Sequence, residues 1–484
     1  MRHILITLFV FSLFAVTSTH AQPLGIGSKV YTENVILGHM AAQSMQEAGF
    51  ATVHNEQLGG TRILWSALLG GNIDVYPEYT GTLIEEILST QIIRNREDLV
   101  SALSAFGVGI TDNIGFNNTY ALGMRRSQAQ ALGVTKISDL QNHPTLRYGF
   151  SNEFLERPDG WVGVSAEYGL APDYVTGLEH ALAYRGIAND DIDIVDLYST
   201  DPEIAYYDLV ALVDDREFFP DYDAVFLYRD SLPIAAIAAL QRLSGTIDEG
   251  EMIRLNSQVQ LEQRDDAQVA SEFMRDTFAI EVTLATDNMW ARLWRNTIEH
   301  LQLVIISLGL AIVVAIPLGV LAAKVTRLES VLLGFASVLQ TIPSLALLVL
   351  MIPFFGIGAL PAIVAMFLYS LLPIVRNTHA GIKQIPAPMM ESARALGLPN
   401  ALILRRIELP MATPSILAGI KTSAVMNVGV ATLGALIGAG GYGQPILTGI
   451  RLDNLSLILE GAIPAAVLAL LVQGFFDVLE KRLN

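Results

Sequence analysis

The pattern of apolar and polar positions changes character once along this chain. Up to about residue 285, short strand-like apolar runs alternate with mixed stretches of helical period, which predicts an α/β domain. Gly25-Ile26-Gly27-Ser28-Lys29 reads as a strand end and turn. Thr32 and Glu33 then open a helix that runs to about Ala48. A faint repeat links Ile73-Asp74-Val75, before an aromatic, Thr-rich turn, to Ile192-Asp193-Ile194, before Tyr198-Ser199-Thr200. Two lobes built on one plan would give such a repeat. Beyond residue 300 the pattern is that of a membrane domain. Residues 301–323 hold no charge in 23 positions, enough for a span of about 20 residues. Residues 330–375 form an uncharged run of 46, too long for one helix, and Gly356, Gly358 and Pro361 divide it into two spans. Two more spans fit 413–437 and 457–478, for an all-α domain of about five helices over 301–484. Residues 286–300 read as a linker. At the start, Arg2 and His3 precede an apolar stretch from Ile4 to Val16 and small residues up to Ala21, the pattern of a secretory signal over 1–21. That places residues 22–285 outside the cytoplasm.

Charge sharpens this division. The net charge of −18 is split unevenly, with 16 Lys+Arg against 40 Asp+Glu in residues 22–290, and 13 against 8 in residues 291–484. An acidic outer half excludes nucleic acid as a partner, since that needs a positive face. With no cysteine, disulfides and thiolate sites are excluded. Nine basic residues (Lys324, Arg327, Arg376, Lys383, Arg394, Arg405, Arg406, Lys481 and Arg482) fall on one side of the five spans, and Arg292, Arg295 and Arg451 on the other. The positive-inside rule then agrees with the signal about orientation in a bacterial cytoplasmic membrane. Trp290 and Trp294 suit the headgroup layer.

The longest inner segment carries a motif. From Glu391 it reads E-x-A-x3-G-x9-I-x-L-P, ending at Pro410, and predicts a helix, a tight turn at Gly397-Leu398-Pro399 and a second helix. This resembles the coupling loop of ABC importer permeases. The resemblance implies that Glu391, Ala393, Gly397, Ile407, Leu409 and Pro410 dock a cytoplasmic ATPase, and that two permease domains pair as a homodimer. Ile437-Gly438-Ala439-Gly440-Gly441-Tyr442-Gly443 is similar to the glycine-rich turn between the last two spans of such permeases. The chain has no G-x-x-x-x-G-K-[ST] loop to cradle phosphates, Gly419-Ile420-Lys421-Thr422 being the nearest fragment. It is therefore expected to hold no cofactor itself, with ATP and Mg bound by a separate ATPase chain. Lys421, inside the fourth span, reads as snorkelling to the inner surface.

Six ordered segments of the outer domain, 28–38, 59–82, 115–124, 153–170, 193–201 and 212–229, resemble the substrate-binding proteins of osmoprotectant ABC importers, which capture glycine betaine, choline, carnitine and similar quaternary amines. The resemblance implies a type II two-lobed clamp, with lobe one at about 22–120 and 228–285 and lobe two at about 121–227. A quaternary ammonium offers no N–H, so aromatic faces are what can hold it. Tyr120, Tyr198 and Tyr222 match three cage positions. The fourth falls near Leu99, where no tyrosine stands, and Tyr79 and Trp161 are the candidate substitutes. Asn34 matches a ligand-contacting position, Thr61 and Thr80 lie in segments expected to face the cleft, and Lys29 is a partner for a ligand carboxylate or for a structural acid. No H-E-x-x-H or G-x-S-x-G motif supports a metal site or a catalytic reading. A ligand-gated channel or sensor with the same clamp is the alternative class, but a channel has no use for the inner motif.

Overall fold

The computed structural model describes residues 23–281 and 288–483. The signal over 1–21 lies outside the described residues. Ten strands form two five-stranded sheets, each the floor of one lobe. Lobe one uses β1 (Leu24–Gly27), β2 (Thr52–Asn55), β3 (Val75–Tyr79), β4 (Val108–Ile110) and β10 (Ala224–Arg229), in the order β2-β1-β3-β10-β4. Lobe two uses β5 (Tyr120–Arg125), β6 (Arg147–Ser151), β7 (Tyr174–Leu178), β8 (Ile194–Tyr198) and β9 (Leu209–Ala211), in the order β7-β6-β8-β5-β9. The two orders are one plan used twice. The middle strands β3 and β8 are the segments of the faint sequence repeat, and each ends in a tyrosine.

Both faces of each sheet are covered, and the strands alternate accordingly. In β10, Ala224 and Phe226 join the core under helices α1 (Thr32–Glu47), α3 (Glu249–Gln260) and α4 (Asp266–Phe278). Val225 and Leu227 point the other way, to the core under α2 (Thr61–Leu69). The chain crosses between lobes twice, at neighbouring segments that pair through Asn117 and Asp223. The return to the first sheet begins at Ala224, four residues before the expected 228.

The membrane domain begins earlier than the apolar count implied. Helix α5 runs over Met289–Lys324, so 289–300 is helix and not linker. Asn288 caps it, its side chain accepting from the Ala291 amide at 2.8 Å, and no glycine or proline interrupts the polar first turns. Trp290 and Trp294 are 72% and 68% exposed, as interfacial residues would be. The predicted second span is two helices, α6 (Thr326–Thr341) and α7 (Ser344–Phe355), bent by 99°. Pro343 explains the break, because it holds Ile342 extended. The pair runs from the inner end of the bundle toward the clamp. Glu329 on α6 meets His379 and Lys383 at the inner end of α8 (Ala359–Lys383), whereas Gly356, after α7, lies against Asn72 of lobe one. Then follow the inner helix α9 (Ala387–Ala395), α10 (Leu409–Leu433), the outer helix α11 (Gly443–Arg451) and α12 (Leu455–Leu483). Lys421 pairs with Asp477 and Glu480 of α12, so it has acidic partners within the helix bundle.

Small residues let α5 and α8 pack closely. A Cβ at Gly319 would lie 2.5 Å from Thr378 Cβ and 2.8 Å from the Val375 carbonyl oxygen. Gly319→Ala is therefore expected to destabilise the membrane domain by about 1–3 kcal/mol. Thermal unfolding of the full chain in detergent, with the midpoint lowered, is the check.

Candidate functional site

Ligands of α/β sheets bind beyond the carboxyl ends of parallel strands. Here the carboxyl ends of β1, β3, β6 and β8, and the amino ends of the antiparallel β5 and β10, all face the seam between the lobes. Together they line one cleft between the lobes. Tyr120 stands directly opposite Tyr198 in the β5–β8 register, which brings their rings to 5.0 Å. Tyr222, in the second crossing segment, meets Tyr120 edge-on at 5.4 Å and an interplanar angle of 88°. Tyr31, just before α1, approaches Tyr198 at 5.8 Å and 65°. Four tyrosines thus wall one cleft. Their hydroxyls are tied back where bonds are seen, Tyr222 to Asp159 at 2.6 Å and Tyr31 to Glu153, and the Arg157 guanidinium lies 5.7 Å from the Tyr120 ring centre.

The sequence-derived residues divide around this cleft. Tyr79, Tyr120, Tyr198, Tyr222 and Lys29 line it. Lys29 is buried and committed to Glu78 at 2.5 Å, with its ammonium 5.4 Å from the Tyr79 ring centre. Asn34 does not line the cleft. It is fully buried in the first turn of α1, accepting from the Lys29 amide at 2.6 Å and donating to the Pro77 carbonyl at 2.8 Å, so it ties the turn after β1 to β3. Thr61 is buried at the start of α2, away from the lining, and Thr80 bonds the crossing segment at Asp221 and Asp223. Trp161 packs on Tyr148 and Phe150 at 5.3 and 5.0 Å inside lobe two. Leu99 belongs to the lobe-one core, so that position offers nothing to the cleft. Tyr31, which the sequence reading did not single out, also lines the cleft. Its signal was available in the sequence: it follows a strand end and precedes a helix start, the place where α/β sheets bind ligands.

A second residue was missed. Glu33 is buried in the cleft floor and accepts four bonds, from Tyr79 at 2.6 Å, Asn118 at 2.8 Å, Thr200 at 2.5 Å and Asn256 at 3.1 Å. Those partners come from both lobes and a crossing segment. Burial raises its pKa, and the four donors act against that rise. Further carboxylates, Glu153, Glu179, Asp201 and Glu203, line the cleft against the cations Lys29, Arg157 and Arg451. Burial opposes a charge on His180, but Asp201 and Asp196 outweigh it and hold its pKa well above the usual imidazole value.

The membrane domain closes the mouth of this cleft. Arg451, at the end of α11, is buried and donates to both carboxylate oxygens of Asp266 at 2.9 and 2.7 Å and to the Thr32 hydroxyl at 3.0 Å. Leu452 enters the lobe-one core. Asp453, with a left-handed backbone (φ 51°), takes a bond from Arg185 of lobe two at 2.6 Å. Gln57 donates to Thr448 at 2.9 Å.

A two-lobed clamp seated through its cleft mouth on a bundle of crossing helices is a receptor joined to its permease. The family described as the substrate binding domain of ABC-type glycine betaine transport systems matches residues 22–276, and the chain belongs to it. The inner membrane component of binding-protein-dependent transport systems matches residues 315–484. The chain is thus the fused binding and permease domains of an osmoprotectant ABC importer, a multi-pass inner-membrane protein with its clamp outside the cytoplasm. Among relatives, the osmoprotectant import permease protein OsmW of Salmonella typhimurium is 46% identical over 193 residues, 39% of this chain and 90% of that protein. The choline transport system permease protein OpuBB of Bacillus subtilis is 41% identical over 189 residues, 39% of this chain and 87% of that one. A solved structure of a glycine betaine/carnitine/choline ABC transporter is 27% identical, covers 53% of this chain and all of its own, and has a TM-score of 0.46.

Glu203 gives the cleft a pH dependence. Burial, then Asp201, push its pKa up to about 7 from the usual 4.5. A carboxyl raised on folding costs nothing below its unfolded value, and the cost grows to its full size above the folded one. Stability should therefore fall between about pH 4.5 and 7, and His180, whose raised value gives a stability that is lost as pH rises past the unfolded 6.5, adds to the upper end of that fall. Glu203→Gln is expected to flatten that fall by a few degrees of melting temperature, since 1 kcal/mol is worth about 2–4 °C at this domain size. Thermal melts at pH 5 and pH 7 are the check.

Proposed function

We propose that this chain captures small quaternary amines, of the glycine betaine, choline or carnitine type, and passes them through its own membrane domain. The observation that carries this reading is the cleft walled by Tyr31, Tyr120, Tyr198 and Tyr222. Rings that present their faces suit a cation that cannot be hydrogen-bonded, at about 0.5–2 kcal/mol each when desolvated. The relatives named for osmoprotectants and choline point to the same ligand class.

ATP, with Mg, binds in this reading to a separate ATPase chain that docks at residues 388–410. The motif residues fold there as α9, a turn at Gly397 with φ 71°, and a second short helix at Asn400–Ile403. Glu391, Gly397 and Pro410 are exposed, Ile407 and Leu409 are half-buried, and Ala393 is buried beneath them. Leu396 is 78% exposed beside the turn, an apolar side chain suited to a protein partner. A second copy of the permease domain completes the path as a homodimer. The ATPase drives transport, and neither domain of this chain performs catalysis.

Calorimetric titration of the full chain in nanodiscs with glycine betaine, choline and carnitine, against amino-acid controls, tests the ligand class. Binding of at least one quaternary amine is expected, and selective capture of an amino acid instead would refute the reading. Loss of one ring, by Tyr31→Ala or Tyr198→Ala, should weaken binding about tenfold, the equivalent of about 1.4 kcal/mol. On the inner side, Gly397→Asp places a side chain and a charge at a left-handed turn. It should abolish co-purification of the ATPase while ligand affinity stays unchanged.

A further inference from the structure

Outside the cleft, His39 on α1, His54 on β2 and Glu56 just beyond β2 converge. Their nearest ligand atoms all lie within 4.8 Å of one another. His39 Nε2 is 3.3 Å, and His54 Nδ1 3.9 Å, from Glu56 Oε1. A zinc ion bound at about 2.0–2.2 Å holds tetrahedral N and O ligands about 3.3–3.5 Å apart, so His39 and Glu56 already stand at that spacing and His54 has to draw in toward them. A second observation points to a ligand. His54 Nδ1 is buried and has no hydrogen-bond partner, while its Nε2 lies 2.9 Å from Ser28 Oγ. When Ser28 accepts the Nε2 proton, Nδ1 is a bare lone pair aimed at a carboxylate oxygen. A cation between them turns that opposition into ligation, and Ser28 is the outer partner that orients the ring.

The surroundings are built for this arrangement. A Cβ at position 38 would lie 2.3 Å from His54 Nε2, so only glycine lets the ring lie against α1. The nearby cation Arg451 is committed to Asp266 and Thr32. His39 and Glu56 keep 14% and 33% of their side-chain surface, which leaves an entry route and an open fourth position for water. We propose that His39, His54 and Glu56 form a binding site for a first-row divalent cation, with zinc the best match to two imidazoles and one carboxylate. The ion would clip α1 to the end of β2. Gln57, the next residue, bonds Thr448 of the membrane domain, so the clip stiffens the edge of lobe one that meets the permease.

The test uses the full chain in nanodiscs, stripped with a chelator and titrated with zinc chloride, then with cobalt chloride. One saturable zinc per chain is expected, with a raised melting temperature and the intense visible bands of tetrahedral cobalt. His39→Gln and His54→Ala should each abolish both signals, and Ser28→Ala should weaken zinc about tenfold through loss of ring orientation. His39 is partly exposed, so His39→Gln still decides the matter if His54→Ala fails to fold. Absence of saturable zinc binding, or binding retained in His39→Gln, overturns the proposal.

Discussion

The clamp depends on one buried carboxylate. Glu33 sits in the first turn of α1, where the helix end favours negative charge, and takes hydrogen bonds from Tyr79, Asn118, Thr200 and Asn256. An unpartnered buried carboxylate is costly, so these four donors are held together as a set. Tyr79 and Asn256 belong to lobe one, Thr200 follows β8 of lobe two, and Asn118 lies in a crossing segment. Closure of the lobes therefore supplies the one donor of the four that lobe two contributes, Thr200. The same bonds set Tyr79 and the segment after Tyr198 against the cleft, so the geometry of the aromatic wall follows from the floor beneath it.

Much of this was legible in sequence, and what escaped has physical reasons. The α/β character of the outer domain, the apolar crossings and the inner helix–turn–helix rest on local signals: alternation, uncharged runs, and glycine at a left-handed turn, whereas the two-lobed clamp came from resemblance with a faint repeat beside it. The cleft rings Tyr120, Tyr198 and Tyr222 came from resemblance, whereas their mutual geometry comes from strand register across 78 positions between Tyr120 and Tyr198. Trp161 and Thr61 were misplaced because aromatic and hydroxyl side chains serve cores as readily as clefts. Asn34 bonds backbone groups that only the fold brings near. The linker was read too long because polar first turns hide a helix from an apolar count. The bend at Pro343 did have a local signal, but it was absorbed into an apolar run that looked continuous.

Long-range pairs escaped altogether. Arg451 stood in the sequence as one outer cation among three, with nothing to mark its reach into the cleft mouth. Its partners lie 185 and 419 positions away. Lys421 likewise finds Asp477 across 56 positions. Such pairs are fixed by docking of whole elements, and neither spacing nor composition encodes them.

The contact between clamp and permease is asymmetric, and the asymmetry has a direction. On lobe one, Arg451 and Asp266 form a bidentate pair with side chains 8% and 11% exposed, and Leu452 sits in that lobe's core. Removing one partner of such a buried pair costs about 3–5 kcal/mol, because the other charge is stranded. On lobe two, Arg185 and Asp453 are 52% and 43% exposed, in the range where an ion pair contributes only about 0–1 kcal/mol. Separating lobe two from the membrane domain is thus far cheaper than separating lobe one. With the clamp tethered to its permease, lobe one is the seat and lobe two the moving jaw. Opening the cleft then breaks the weak outer pair and the bonds that join the lobes directly, Thr200 to Glu33, Asn256 to the Thr200 carbonyl, Tyr31 to Glu153 and Arg157 to Glu86, while the strong attachment holds the cleft mouth over the helices.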